Sequence, residues 1–89
     1  MLYTFSKAQY NDNELKAILT NIQENDIIVL WQDGVLQAIK NANLFTTHQT
    51  LVLENDLQAR GLTPLVSLPV ISLSELVKLT EKHSPQISF

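Results

Sequence analysis

The sequence predicts a three-layer α/β/α fold: a small, mostly parallel sheet of four or five strands with helices on both faces. Three observations carry this. Short apolar runs alternate with stretches of helical periodicity, the sequence form of strand–helix units and a parallel sheet. One run, Ile27-Ile28-Val29-Leu30-Trp31, is apolar throughout and rich in β-branched residues, as expected of a strand covered on both faces. The length, 89 residues, cannot be divided into two units that each bury a core, so residues 1–89 are expected to form one domain.

The elements follow in order. Leu2 to Phe5 reads as a first strand. Asn11, Asp12 and Asn13 offer caps to a helix whose apolar positions Leu15, Ile18, Leu19 and Ile22 keep the i, i+3, i+4, i+7 spacing. The run from Ile27, bounded by Asp26 and Gln32, is the central strand. Gln32-Asp33-Gly34 breaks it as a tight turn, and Val35, Leu36, Ile39 and Ala42 give one apolar face to a following helix. Thr50 to Leu53 forms a third strand. Glu54-Asn55-Asp56 places negative charge at the positive end of a helix beginning near Asp56, and Gly61 suits the left-handed position that ends it. Pro64 and Pro69 bracket a stretch that is not helical, and Val70-Ile71 make a minimal fourth strand. Ser72 or Ser74 caps a last helix containing Leu73, Leu76, Val77 and Leu79, with Lys78, Lys82 and His83 toward its negative end. Ser84-Pro85 stops it, leaving a tail from Gln86 to Phe89.

Composition narrows the function classes. Apolar residues make up 45% and charged ones 17%, the balance of a globular chain. A domain of this size buries only roughly 60–65% of the surface its unfolded chain exposes, so part of its stability is expected from a partner. Nine acids outweigh six scattered bases, for a net charge of −3. Nucleic-acid binders need clustered Lys and Arg to displace counterions, so direct nucleic-acid binding is not expected. No basic region leads into a long apolar stretch at the N-terminus, and no apolar run approaches the roughly 20 residues that span a bilayer. The expectation is a soluble, cytoplasmic protein without a membrane anchor.

The chemistry-bearing residues are few. There is no cysteine, which removes thiol, persulfide and disulfide chemistry from the chain's own side chains. Asp33-Gly34 lies where open α/β sheets place ligands, past the carboxyl end of a central strand. The competing reading is structural: Asp33 caps the next helix and Gly34 allows a backbone geometry that a Cβ resists. The only other glycine is Gly61, so there is no dinucleotide fingerprint or P-loop. His48 and His83 have no acid or second histidine at metal-ligand spacing, no serine stands in a strand-to-helix elbow, and no cofactor is expected. Glu54 and Asp56 read as a solvated first helical turn before they read as an acid/base pair. Trp31 is a core or rim aromatic or, alternatively, an interface anchor; Phe89, following a proline break, must be tied to its own domain or to a partner, and a partner is the favoured expectation.

Three blocks, Val29-Leu30-Trp31-Gln32-Asp33-Gly34-Val35, Leu53-Glu54-Asn55-Asp56-Leu57-Gln58-Ala59-Arg60-Gly61-Leu62 and Leu79-Thr80-Glu81-Lys82-His83-Ser84-Pro85, together with the opening Met1-Leu2-Tyr3-Thr4, resemble the TusB family of the DsrE/DsrF/DsrH-like sulfur-relay group over nearly the whole chain. Tyr3 and Ala8-Gln9 depart from the pattern of many relatives. The resemblance implies a doubly wound α/β fold and a heterohexamer with two homologous subunits, TusC-like and TusD-like. It also implies indirect dealings with two sulfur carriers, TusA as donor and TusE as acceptor, on the route to 2-thiouridine at the tRNA wobble position. In that family the persulfide is carried on a cysteine of the TusD subunit. DsrH proteins of sulfur oxidisers carry a cysteine that this chain lacks, which favours the thiolation branch. The expected role is therefore a non-catalytic accessory subunit of a sulfurtransferase complex. The rival is a stand-alone ligand-binding or enzymatic domain using the crevice beside Asp33.

Overall fold

The computed structural model describes residues 1–89. Five strands, β1 (Leu2–Phe5), β2 (Ile27–Leu30), β3 (Gln49–Leu53), β4 (Val70–Ile71) and β5 (Gln86–Ser88), form one wholly parallel sheet in the order β4-β3-β2-β1-β5. The apolar run from Ile27 is the middle strand, flanked in register by Leu2 on one side and Gln49 on the other.

Connections between parallel strands are almost always right-handed. The three steps from β1 to β4 move the same way across the sheet, so their helices belong on one face. The last step returns from β4 to the far side of β1, so its helix belongs on the other. The packing agrees. Helices α1 (Asp12–Thr20), α2 (Gln37–Lys40), α3 (Ala42–Phe45) and α4 (Glu54–Ala59) contribute Leu15, Leu19, Ala38, Phe45 and Leu57 to a core of twelve buried residues that also holds Phe5, Ile28, Leu30 and Val52. The alternate strand residues Leu2, Val29 and Leu53 point the other way. They form a second cluster of five with Ile71 and with Leu76 of α5 (Leu73–Lys82).

The caps explain where the longer helices begin. Asn11 accepts hydrogen bonds from the backbone N–H groups of Asn13 and Glu14 to start α1. Ser72, rather than Ser74, starts α5 through a capping box in which Glu75 bonds back to the Ser72 N–H. This bond, followed by one from the Ser72 hydroxyl, holds the Glu75 carboxyl below the usual glutamate range. The end of α4 is a Schellman motif: Gly61, at φ +65°, lets the N–H of Leu62 reach the carbonyl of Leu57 at 3.0 Å while its own N–H bonds to Gln58 at 3.1 Å.

Several expectations are corrected. The helix expected through Val35, Leu36, Ile39 and Ala42 is three pieces: a 3-10 turn (Gln32–Leu36), α2, and α3 after a break at Asn41, where φ is −128°. Three residues per turn at the start change the phase of the inward face. Val35 and Ala38 are buried, while Ile39 turns outward. Helix α4 begins at Glu54, not near Asp56, and a single 3-10 turn (Thr63–Leu65) follows it where no helix was expected. In α5, Leu73 and Val77 are about half exposed, at 53% and 49%, although Leu76 is buried.

The tail does not fray. After a cis Ser84–Pro85 peptide, β5 pairs with β1, and the Phe89 N–H donates to the Thr4 carbonyl at 2.8 Å. The Phe89 carbonyl-position oxygen accepts from the Ser6 N–H, the Ser6 hydroxyl and the Tyr10 hydroxyl. Its ring stacks on Phe5 at 5.1 Å and on Tyr3 at 6.2 Å. The half-buried terminal aromatic is thus held by its own sheet, contrary to the expectation that a partner ties it down. Burial raises the Tyr10 phenol above its ordinary pKa, against the lowering effect of backbone hydrogen bonds at Lys7 and Ser6.

Candidate functional site

The carboxyl ends of β2 and β3 meet in one polar constellation. At the end of β2 the chain turns at Gln32, whose φ of +52° is the sole positive value outside glycine. A β-carbon makes this conformation unfavourable. It is held from the next strand–helix unit: Asp56, in the first turn of α4, accepts the Gln32 N–H at 2.6 Å. One turn later Arg60 bridges both acids. Its Nη2 donates to Asp33 Oδ1 at 2.8 Å, and its Nη1 lies 3.6 Å from Asp56 Oδ1 while donating to the Asp56 carbonyl at 3.0 Å.

Two of the sequence blocks that are far apart along the chain are therefore fastened to each other. Asp33 does not cap the following helix, as one reading had it. Its carboxylate is spent on Arg60, and the 3-10 turn begins with no side-chain cap at all. Gly34 is needed for close approach. A Cβ there would collide with the Phe5 carbonyl, and the left-handed torsion in this turn belongs to Gln32 instead. Glu54 and Asp56 do not act as a pair: Glu54 accepts from Gln58, whereas Asp56 faces Gln32 and Arg60.

Trp31 stands half-buried beside this turn and packs against the smaller apolar cluster. Its indole N–H is buried without a hydrogen-bond partner. Leaving such a donor unmade costs roughly 1–3 kcal/mol. Phe89 lies beyond β1 on the opposite cluster, so the two aromatics singled out from sequence do not share a site. Gly61 ends α4 and holds Arg60 at the helix terminus.

The rival crevice beside Asp33 is not a cavity. The largest surface hollow, about 510 Å³, lies at the amino ends of β2 and β3, lined by Ile27, His48, Leu51 and Pro69 among others. None of the other three is lined by Asp33, Asp56 or Arg60. No three His, Asp or Glu side chains converge as a metal site requires. Sequence reasoning missed Gln32 as a strained, exposed residue, and Arg60 as the link between acids 23 positions apart. It also missed Gln37, which is buried with its amide donating to the Ala8 carbonyl at 2.8 Å. The one available signal was the polar triplet after an unbroken apolar strand.

Comparison with known proteins covers the whole chain. A Haemophilus influenzae protein of uncharacterized role is 44% identical over 94 residues, spanning 99% of each chain. Proteins named TusB from Cronobacter sakazakii and Yersinia enterocolitica are 34% and 36% identical over 96 residues, spanning 100% of each chain. The solution structure of protein Tm0979 from Thermotoga maritima superposes with a TM-score of 0.68 at 28% identity, covering 93% of this chain and 94% of that one. The family model described as DsrH like protein matches residues 7–86, which include both blocks joined by Arg60 and the whole of β2, β3 and β4. On that match, the chain belongs to the DsrH-like family.

Proposed function

We propose that this chain is a non-catalytic subunit of a TusBCD-type sulfur-relay complex, supporting persulfide transfer toward 2-thiolation of the tRNA wobble uridine. The observation that carries the reading is end-to-end similarity to several proteins named TusB. The chain has no cysteine, so it forms no persulfide itself. Its part is to hold a TusD-like subunit, which bears the reactive cysteine, and a TusC-like subunit in their working arrangement, while TusA delivers sulfur and TusE removes it. The unequal covering of the sheet supports this role. One ten-residue helix covers a whole face and leaves Leu73 and Val77 exposed, and Val70 of the two-residue edge strand is exposed as well. Assembly with homologous subunits removes such apolar surface and protects an edge. Deleting the gene is expected to abolish wobble 2-thiouridine in tRNA digests analysed by mass spectrometry. Unchanged thiolation would sink the reading.

A further inference from the structure

Gln32 occupies a torsion that glycine adopts more readily, and its side chain forms no hydrogen bond within the fold. The residue is exposed, its backbone N–H donates to Asp56, and its carboxamide makes no hydrogen bond. Asp56 and Arg60 nonetheless lock the turn so that this carboxamide projects from the carboxyl edge of the sheet. Strain held by surrounding structure, at the carboxyl end of a central strand, marks a place where a side chain is presented to something else.

The surroundings narrow what that is. No cavity includes the turn, so it is a projection and not a small-molecule pocket. The sole cation at the turn, Arg60, is already engaged by Asp33 and Asp56, so there is no free positive charge for a phosphate backbone. A primary carboxamide both donates and accepts, which matches the N–H and C=O of a peptide main chain.

We propose that Gln32 is an intermolecular recognition residue, its carboxamide pairing with main-chain groups of a protein that docks at the carboxyl ends of β2 and β3. This deepens the proposed function by naming the surface through which the chain holds a partner subunit, and it rests on that reading.

The test is co-purification and titration of the chain with co-expressed TusC-like and TusD-like subunits, using wild type, Gln32→Gly and Gln32→Ala. Gly relieves the backbone strain and removes the carboxamide; Ala keeps the strain and removes the carboxamide. Both variants are expected to bind about tenfold more weakly. Free Gln32→Gly is expected to melt higher than wild type and free Gln32→Ala at the same temperature, so that misfolding does not explain the loss. Wild-type affinity in both variants overturns the proposal, as does weakening by Gly alone, which would assign the effect to the backbone. Failure of the wild-type chain to form any complex instead removes the underlying assignment together with this surface.

Discussion

Gly34 sits so close to the end of β1 that a Cβ would collide with the Phe5 carbonyl, whereas Gly61 has open space around it and a φ of +65°. The two glycines therefore respond differently to the same substitution. Gly34→Ala forces backbone apart in a buried turn and is expected to cost ~3 kcal/mol or more. Gly61→Ala meets no atom and strains only a torsion, costing about 1 kcal/mol. Urea denaturation of the two variants checks this, and equal losses would contradict the steric account of Gly34. The neighbouring Gln32 carries the same torsional cost as an alanine at position 61, yet it is not a glycine. That contrast makes its exposed carboxamide informative.

At the scale of elements, β5 shows how a few local contacts convert a tail into structure. Three strand residues pair with β1, the last residue adds a further backbone bond, and its oxygen gathers three donors from the loop after β1. Phe89→Ala removes the stacking on Phe5 and Tyr3 and is expected to destabilise the isolated chain by ~1–3 kcal/mol, less than a fully buried Phe would. The measurement is the denaturation midpoint of the chain alone. An unchanged midpoint, with loss appearing only in a complex, would return Phe89 to the role of partner anchor.

For the whole molecule, two surface carboxylates fix the sign of the acid response. The Gln23 backbone N–H, then a hydrogen bond from the Met1 ammonium, lowers the Asp26 pKa. Glu75 is lowered in the same sense by Ser72. A carboxylate depressed in the folded state contributes stability that is complete above its unfolded pKa, ~4, and is lost as pH falls through the folded value. The denaturation midpoint is expected to fall as the pH drops below ~4, and the double variant Asp26→Asn, Glu75→Gln is expected to show a flatter decline. An equally steep decline in that variant would reject the attribution.

Much of this architecture was legible from the residues alone. Apolar runs and their spacing located the first four strands because a strand covered on both faces leaves a continuous signal, and Asn11, Ser72 and Gly61 announced helix ends through chemistry local to a few residues. The signal failed where the deciding contact is distant in sequence. Whether Asp33 caps or pairs depends on Arg60, 27 residues away, and whether Phe89 frays depends on Phe5 at the other end of the chain. Val77 looked like Leu76 in sequence but faces outward, because one helix cannot turn both toward the same sheet. By itself the sequence determined the α/β class, the central strand, the absence of thiol chemistry and the resemblance that the family match supports. Only the tertiary structure decided which polar side chains meet, that the tail is a strand, and that Gln32 is held at a torsion it would not choose. Periodicity and capping act within a turn or two of helix, whereas ion pairs and edge pairing exist only once the sheet has brought remote segments together.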